Sequence, residues 1–179
     1  MNIGLLGFGV VGGGVWELAQ ENRALNVKKV LVRREAPSLG KAAVQDVEAI
    51  LRDTEIDTVV EVLGGLHPAY EWICRALAAG KDVVTANKAV ISAYYRELTA
   101  LARENGVALR CTAAVGGGIP WLVNLQRCRR VDTVTEVGGI MNGTTNFMLT
   151  KMVRENLGFD EALKIAQELG YAETKDPGD

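Results

Sequence analysis

The run Gly7-Phe8-Gly9-Val10-Val11-Gly12 constrains the fold of this chain more than any other stretch. It has the spacing G-x-G-x-x-G, follows an apolar strand-like segment at residues 2–6 and opens a helical segment at 10–22. In that setting each glycine has a task. Gly7 permits a tight turn, Gly9 lets the backbone approach a pyrophosphate, and Gly12 lets the helix pack closely on the strand. Free N–H groups and the helix dipole then favour an anion at the helix start. These six residues are expected to hold the pyrophosphate of a nicotinamide dinucleotide.

The pattern downstream supplies the sheet that such a turn requires. Further strands are expected at residues 28–32, 58–62, 82–85 and 107–111, with helices at 47–53, 69–79 and 94–105. Strands and helices alternating at this spacing predict an α/β fold, a Rossmann-type doubly wound parallel sheet with crossover helices. The alternation stops after Cys111. Gly116, Gly117, Gly118 and Pro120 form a break, followed by a strand expected at 131–140 and helices near 147–155 and 160–169. The domain boundary is expected at 112, with 1–112 as the dinucleotide-binding domain and 113–179 as the beginning of an α+β substrate and dimerisation domain. The closing Asp176-Pro177-Gly178-Asp179 is turn chemistry that normally connects elements, so the chain is expected to be a fragment of a longer enzyme.

Length and composition narrow the function. At 179 residues, 48% hydrophobic and 23% charged, the chain has the make-up of an ordinary globular protein. A formal net charge of −2 offers no basic footprint, so nucleic acid is not an expected partner. No apolar run approaches the roughly 20 residues that span a bilayer. The N-terminus lacks the basic start and cleavage site of a signal peptide. No membrane association is expected, and a cytoplasmic location is. Cys74, Cys111 and Cys128 form no C-x-x-C pair and His67 is the only histidine, so zinc is not expected and the cysteines read as buried reduced thiols. Trp16, Trp72 and Trp121 read as core or interface residues.

The second strand runs into Arg33 and Arg34, where an NAD-specific unit carries a carboxylate for the ribose 2′-hydroxyl. A guanidinium suits a 2′-phosphate instead. NADPH is therefore expected to be favoured over NADH. Glu35 leaves use of both open, and an exposed basic loop is the other reading of the arginines. Gly64 and Gly65 close the third strand at the carboxyl edge, where open α/β sheets bind ligands, and would let the nicotinamide half lie against the backbone. A simple turn there is compatible with that role. Lys88 follows the fourth strand at the same edge. An ammonium there could donate a proton to a developing alkoxide and stabilise its charge. By itself Lys88 reads rather as a solvated surface lysine. His67, just before Pro68, reads as a capping or packing group more than as an acid–base group.

Six motifs in order resemble homoserine dehydrogenase, and the similarity runs along essentially the whole chain. They are the glycine turn extended to Gly14; Glu61-Val62-Leu63-Gly64-Gly65; Thr85-Ala86-Asn87-Lys88-Ala89; Ala114-Val115-Gly116-Gly117-Gly118-Ile119-Pro120; Gly139-Ile140-Met141-Asn142-Gly143-Thr144-Thr145-Asn146; and Leu169-Gly170-Tyr171-Ala172-Glu173. The resemblance implies interconversion of L-aspartate 4-semialdehyde and L-homoserine with a nicotinamide cofactor, on the route to threonine, methionine and isoleucine. It implies a homo-oligomer when complete. It places Thr85 and Lys88 beside the cofactor, with Lys88 the catalytic candidate. It gives Gly143 and Thr144 to the substrate's carboxylate, and Tyr171 and Glu173 to the substrate, with Glu173 the partner of its ammonium. In relatives, carbonyls equivalent to Val115, Gly117 and Ile119 hold a monovalent cation, often with a carboxylate where this chain has Thr112; a hinge between domains is an equal reading. Thr145 or Asn146 would also serve as a helix N-cap.

Relatives often read Glu-x-Asp-Pro where this chain has Glu173-Thr174-Lys175-Asp176-Pro177. Two readings compete with the enzyme: a dinucleotide-binding module or redox sensor without chemistry, and another Rossmann dehydrogenase acting on an amino-acid aldehyde. Ala86-Asn87-Lys88 together with Asn142-Gly143-Thr144 argues against the second. The family's further aspartate and second lysine fall beyond residue 179. The 179-residue chain is therefore expected to be inactive or nearly so in a spectrophotometric assay with homoserine and NADP. Turnover near that of a complete relative would overturn this expectation.

Overall fold

A computed structural model describes residues 1–172. The chain divides into two compact units, Met1–Arg130 and Val131–Asp179. The first holds β1 (Asn2–Leu6), β2 (Asn26–Leu31), β3 (Ala43–Val44), β4 (Thr58–Glu61), β5 (Asp82–Thr85) and β6 (Leu109–Arg110). All pair in parallel, in the order β3-β2-β1-β4-β5-β6. The chain steps outward from β1 to β3, returns to lay β4 beside β1, and steps outward the other way. This is the α/β, Rossmann-type doubly wound sheet expected from the alternation. The reversal falls between β1 and β4, and a crevice opens there at the carboxyl ends of the strands.

Alternating side chains give the sheet two buried faces, which is why its strands read as apolar runs. On one face Ile3, Leu5, Val27, Val30 and Val60 pack with Val15, Trp16 and Ala19 of α1 (Val10–Glu21). On the other, Leu6, Leu31, Val59 and Val83 pack beneath α2 (Glu48–Leu51), α3 (Ala69–Ala78) and α4 (Lys88–Glu104). Ile50, Ile73, Leu77, Val90 and Leu98 are the helices' largest fully buried side chains on that face. The helix expected at 94–105 starts at Lys88, because the Asn87 side chain accepts the Val90 N–H and caps it.

Four further elements depart from the sequence reading. β3 and the 3-10 turn before it, Pro37–Ala42, are too short and irregular to show a period. A helix, α5 (Trp121–Cys128), follows Pro120 within what reads as a break. The strand expected at 131–140 does not form. Those residues carry no regular structure, and Val131 and Ile140 are exposed. A strand needs neighbours for its N–H and C=O groups. Among the described residues the second unit supplies only α6 (Gly143–Glu155) and α7 (Phe159–Glu168), which pack through Met148, Ala162 and Ala166.

Of the cysteines, Cys111 is buried and Cys74 half-buried, and burial pushes both thiols above their ordinary pKa. Cys128 is instead exposed, because α5 buries none of its residues. Among the described residues no helix is long and apolar enough to cross a membrane.

Ile73 sits fully buried between α3 and the sheet. Ile73→Ala should cost about 2–5 kcal/mol, through lost transfer energy and the cavity left behind. In urea denaturation the midpoint should fall with an unchanged slope. An unchanged midpoint would contradict this packing.

Candidate functional site

The turn after β1 does what its glycines predict. Gly7 has φ 105, a left-handed value that suits glycine. A Cβ on Gly12 would collide with the Gly7 carbonyl oxygen, so the bare Cα is what lets α1 press against the turn. Gly9 is the N-cap of α1 and carries no side chain to occupy the first-turn N–H groups. Phe8 packs edge-on against Trp16 with ring centroids 6.5 Å apart, fixing the turn from the side.

A cavity of about 830 Å³ opens at this edge of the sheet. Gly7, Phe8 and Gly9 form its floor after β1, Arg33, Arg34 and Glu35 stand after β2, and Val62, Leu63 and Gly64 follow β4. The cavity thus joins the three segments that sequence spacing singles out. Gln45, Pro68 and Trp72 also line it, and none of these was expected there. Trp72 faces both ways, since it also packs against the core. Val10, Val11 and Gly12 lie outside the wall, and Val10 is 96% exposed at the first turn of α1.

Gly65, Thr85 and Lys88 also lie outside the cavity wall, and a buried polar network joins the first two. Glu61 Oε2 accepts the Thr85 hydroxyl at 2.6 Å. Glu61 Oε1 accepts the Leu63 N–H at 2.8 Å and the Asn87 Nδ2 at 3.3 Å. The Thr85 hydroxyl also accepts the Asn87 N–H at 2.9 Å, so it both donates and accepts inside the protein. Asn87 Nδ2 donates to the Gly65 carbonyl at 2.7 Å. Lys88, the first residue of α4, is exposed. Sequence reading gave Glu61 no role. The available signals were a charged residue inside an otherwise apolar strand and its place at the head of the Glu61–Gly65 motif.

His67 is also exposed. Its Nδ1 lies 2.6 Å from Glu71 Oε1 one helical turn on, as expected for a group at the start of α3. The backbone N–H of Glu71, with His67 second, holds the Glu71 carboxyl below its ordinary pKa. Beyond Cys111, Val115, Gly117 and Ile119 lie on a loop where the Ile119 carbonyl already accepts the Trp121 N–H at 2.7 Å. Among the described residues no cluster of three His, Cys, Asp or Glu side chains stands ready for a metal.

In the second unit, Gly143 and Thr144 open α6. The cap is Asn142, whose side chain accepts the Thr145 N–H at 2.9 Å, rather than Thr145 or Asn146. Asn142 sits one residue before the helix with an extended backbone, where a side-chain oxygen can turn back. The Thr144 hydroxyl donates to the Tyr171 carbonyl, and the Tyr171 ring lies 4.7 Å from that of Phe147. The fold therefore brings Gly143, Thr144 and Tyr171 together. Glu173 lies outside the described residues.

Comparison with known proteins agrees along the chain. Residues 7–112 match the family model described as homoserine dehydrogenase, NAD binding domain, and residues 120–179 match the model described as homoserine dehydrogenase. The homoserine dehydrogenase of Lactococcus lactis is 43% identical, over 100% of this chain and 46% of its own length. That of Bacillus subtilis is 39% identical, over 100% and 45%. The chain spans less than half the length of these relatives. Among solved structures, a homoserine dehydrogenase from Thiobacillus denitrificans superposes with a TM-score of 0.90 at 39% identity, over 98% of this chain and 44% of that one. A hyperthermophilic archaeal homoserine dehydrogenase in complex with NADPH superposes with 0.83 at 27% identity, over 97% and 62%.

Two alanine substitutions separate the glycine that packs the helix from the one that lines the cavity. Gly12→Ala should destabilise the fold by about 1–3 kcal/mol, since the new methyl meets backbone. Gly9→Ala meets no atom within 4 Å and should change stability by less than about 0.5 kcal/mol. Thermal melting of both variants tests this, and equal losses would contradict the geometry of the turn.

Proposed function

The chain belongs to the homoserine dehydrogenase family, and on that footing we propose that it forms the dinucleotide-binding part of an enzyme interconverting L-homoserine and L-aspartate 4-semialdehyde. One observation carries the proposal: a single cavity whose wall combines the glycine turn, Arg33, Arg34 and Gly64. The pyrophosphate would lie on Gly7-Phe8-Gly9, with the N–H groups of the first turn of α1 toward it. Arg33 and Arg34 would take the 2′-phosphate of NADPH through charge-assisted hydrogen bonds. Glu35 in the same wall favours a second reading of the preference, since a carboxylate accepts from the free 2′-hydroxyl of NADH.

When bound, the cofactor supplies or takes the hydride. Lys88 is then the proton donor to the substrate oxygen in the reductive direction, and its ammonium stabilises the developing alkoxide. Its place at the first turn of α4, at the carboxyl edge of the sheet, supports that role. In the second unit Gly143, Thr144 and Tyr171 are the proposed contacts of the amino-acid substrate, together with Glu173. A monovalent cation finds little to hold it on the Val115–Ile119 loop. The Ile119 carbonyl is engaged by Trp121, and Thr112 supplies no charge. The same reading carries a boundary between the two functional parts near residue 112, a cytoplasmic location, assembly into a homo-oligomer, and a place in threonine, methionine and isoleucine synthesis.

Titration with NADPH and NADH, followed by fluorescence, tests the site. NADPH should bind more tightly. An Arg33→Ala/Arg34→Ala double variant should lose about ten- to hundredfold in NADPH affinity with little change for NADH. Tighter binding of NADH by the unaltered chain would discard the 2′-phosphate assignment. Binding of neither by folded chain would overturn the dinucleotide site.

A further inference from the structure

We infer that Glu61 is a positioning residue that fixes the nicotinamide end of the dinucleotide site by holding the Gly64–Gly65 loop against the start of α4; the inference rests on the dinucleotide reading above. Glu61 ends β4 and is fully buried, and among the described residues it takes part in no ion pair. A buried carboxyl group is costly unless its oxygens are hydrogen-bonded. Here every partner donates: the Leu63 N–H, the Asn87 amide and the Thr85 hydroxyl. An acceptor at both oxygens is what a glutamate side chain offers.

The partners matter because of what lies between them. Gly64 and Gly65 have φ 76 and 72, and a pair of glycines has no side chains to favour one conformation. The loop is held from its flanks instead. Leu63, on one side of Gly64, is bonded to Glu61, while the Gly65 carbonyl is bonded to Asn87, which is itself bonded to Glu61. Asn87 also caps α4 through its Oδ1, accepting the Val90 N–H at 3.2 Å. One carboxyl group thereby ties the loop after β4, the end of β5 and the first turn that carries Lys88. Leu63 and Gly64 line the cavity, so a ligand group seated over them depends on Glu61. A group seated on Gly7-Phe8-Gly9 and the arginines does not.

Isothermal calorimetry with two ligands separates the two ends. NADPH spans the whole site, whereas 2′,5′-ADP keeps the 2′-phosphate and lacks the nicotinamide. Glu61→Ala should weaken NADPH by about tenfold or more while leaving 2′,5′-ADP within about twofold. Glu61→Gln should restore most of the NADPH binding, because its carbonyl oxygen still accepts from Leu63 and Asn87 and its amide can donate to the remaining lone pair of the Thr85 hydroxyl, although that hydroxyl loses its acceptor. A cavity at Glu61 can unfold the chain, so Asn87→Ser is the second variant. Serine keeps an N-cap acceptor for α4 but lacks the two Nδ2 bonds. It should stay folded, at a somewhat lower melting temperature for the two lost hydrogen bonds, and show the same selective loss. Three outcomes would overturn the inference: equal loss of both ligands, retained NADPH affinity in both Glu61→Ala and Asn87→Ser, or a folded Glu61→Gln variant that binds as weakly as Glu61→Ala. An unaltered, folded chain that binds neither ligand would instead overturn the dinucleotide reading on which it rests.

Discussion

Parallel register sets Val44, Leu31, Leu6, Glu61 and Thr85 side by side across five strands. Everything at the carboxyl edge follows from that row. The next residue on four of those strands, Gln45, Val32, Gly7 and Val62, lines the cavity. The ladder reaches one residue further, with Val32 N–H on Val44, Gly7 on Leu31, Val62 on Leu6 and Ala86 on Glu61. The cavity floor is therefore an extension of the sheet, and the packing of both faces holds it level. A slip of one residue in any strand would turn its buried side chains to the opposite face. The two apolar faces thus keep the polar edge in line.

Most of this was legible in the sequence because it rests on strong local signals. β1, β4 and β5 are dense apolar runs, and Gly7, Gly9 and Gly12 are a backbone demand that few other residues meet. Arg33, Arg34 and Gly64 could be placed in the site because the ends of strands in such a sheet converge. What the sequence left dark depends on partners remote along the chain. Glu61 looks like an interruption in Val59-Val60 until Thr85 and Asn87 arrive more than twenty residues later to bond it. Asn87 becomes a cap only when helix follows it, so α4 read as starting late. Gln45 and Trp72 reach the cavity through packing alone. The reverse error has the same source. Val131, Val134, Val137 and Ile140 make the segment apolar enough for a strand, yet a strand is a relation between segments, and no neighbour stands beside them among the described residues.

The outer strands β3 and β6 are two residues long, against five and four for β1 and β4 at the centre. Edge strands expose a row of unpaired backbone groups, and shortness is one of the ways proteins blunt that templating surface. Margins this short offer another chain little to pair with. A copy of the chain that docked on the first unit would meet it chiefly through side chains on helices and loops.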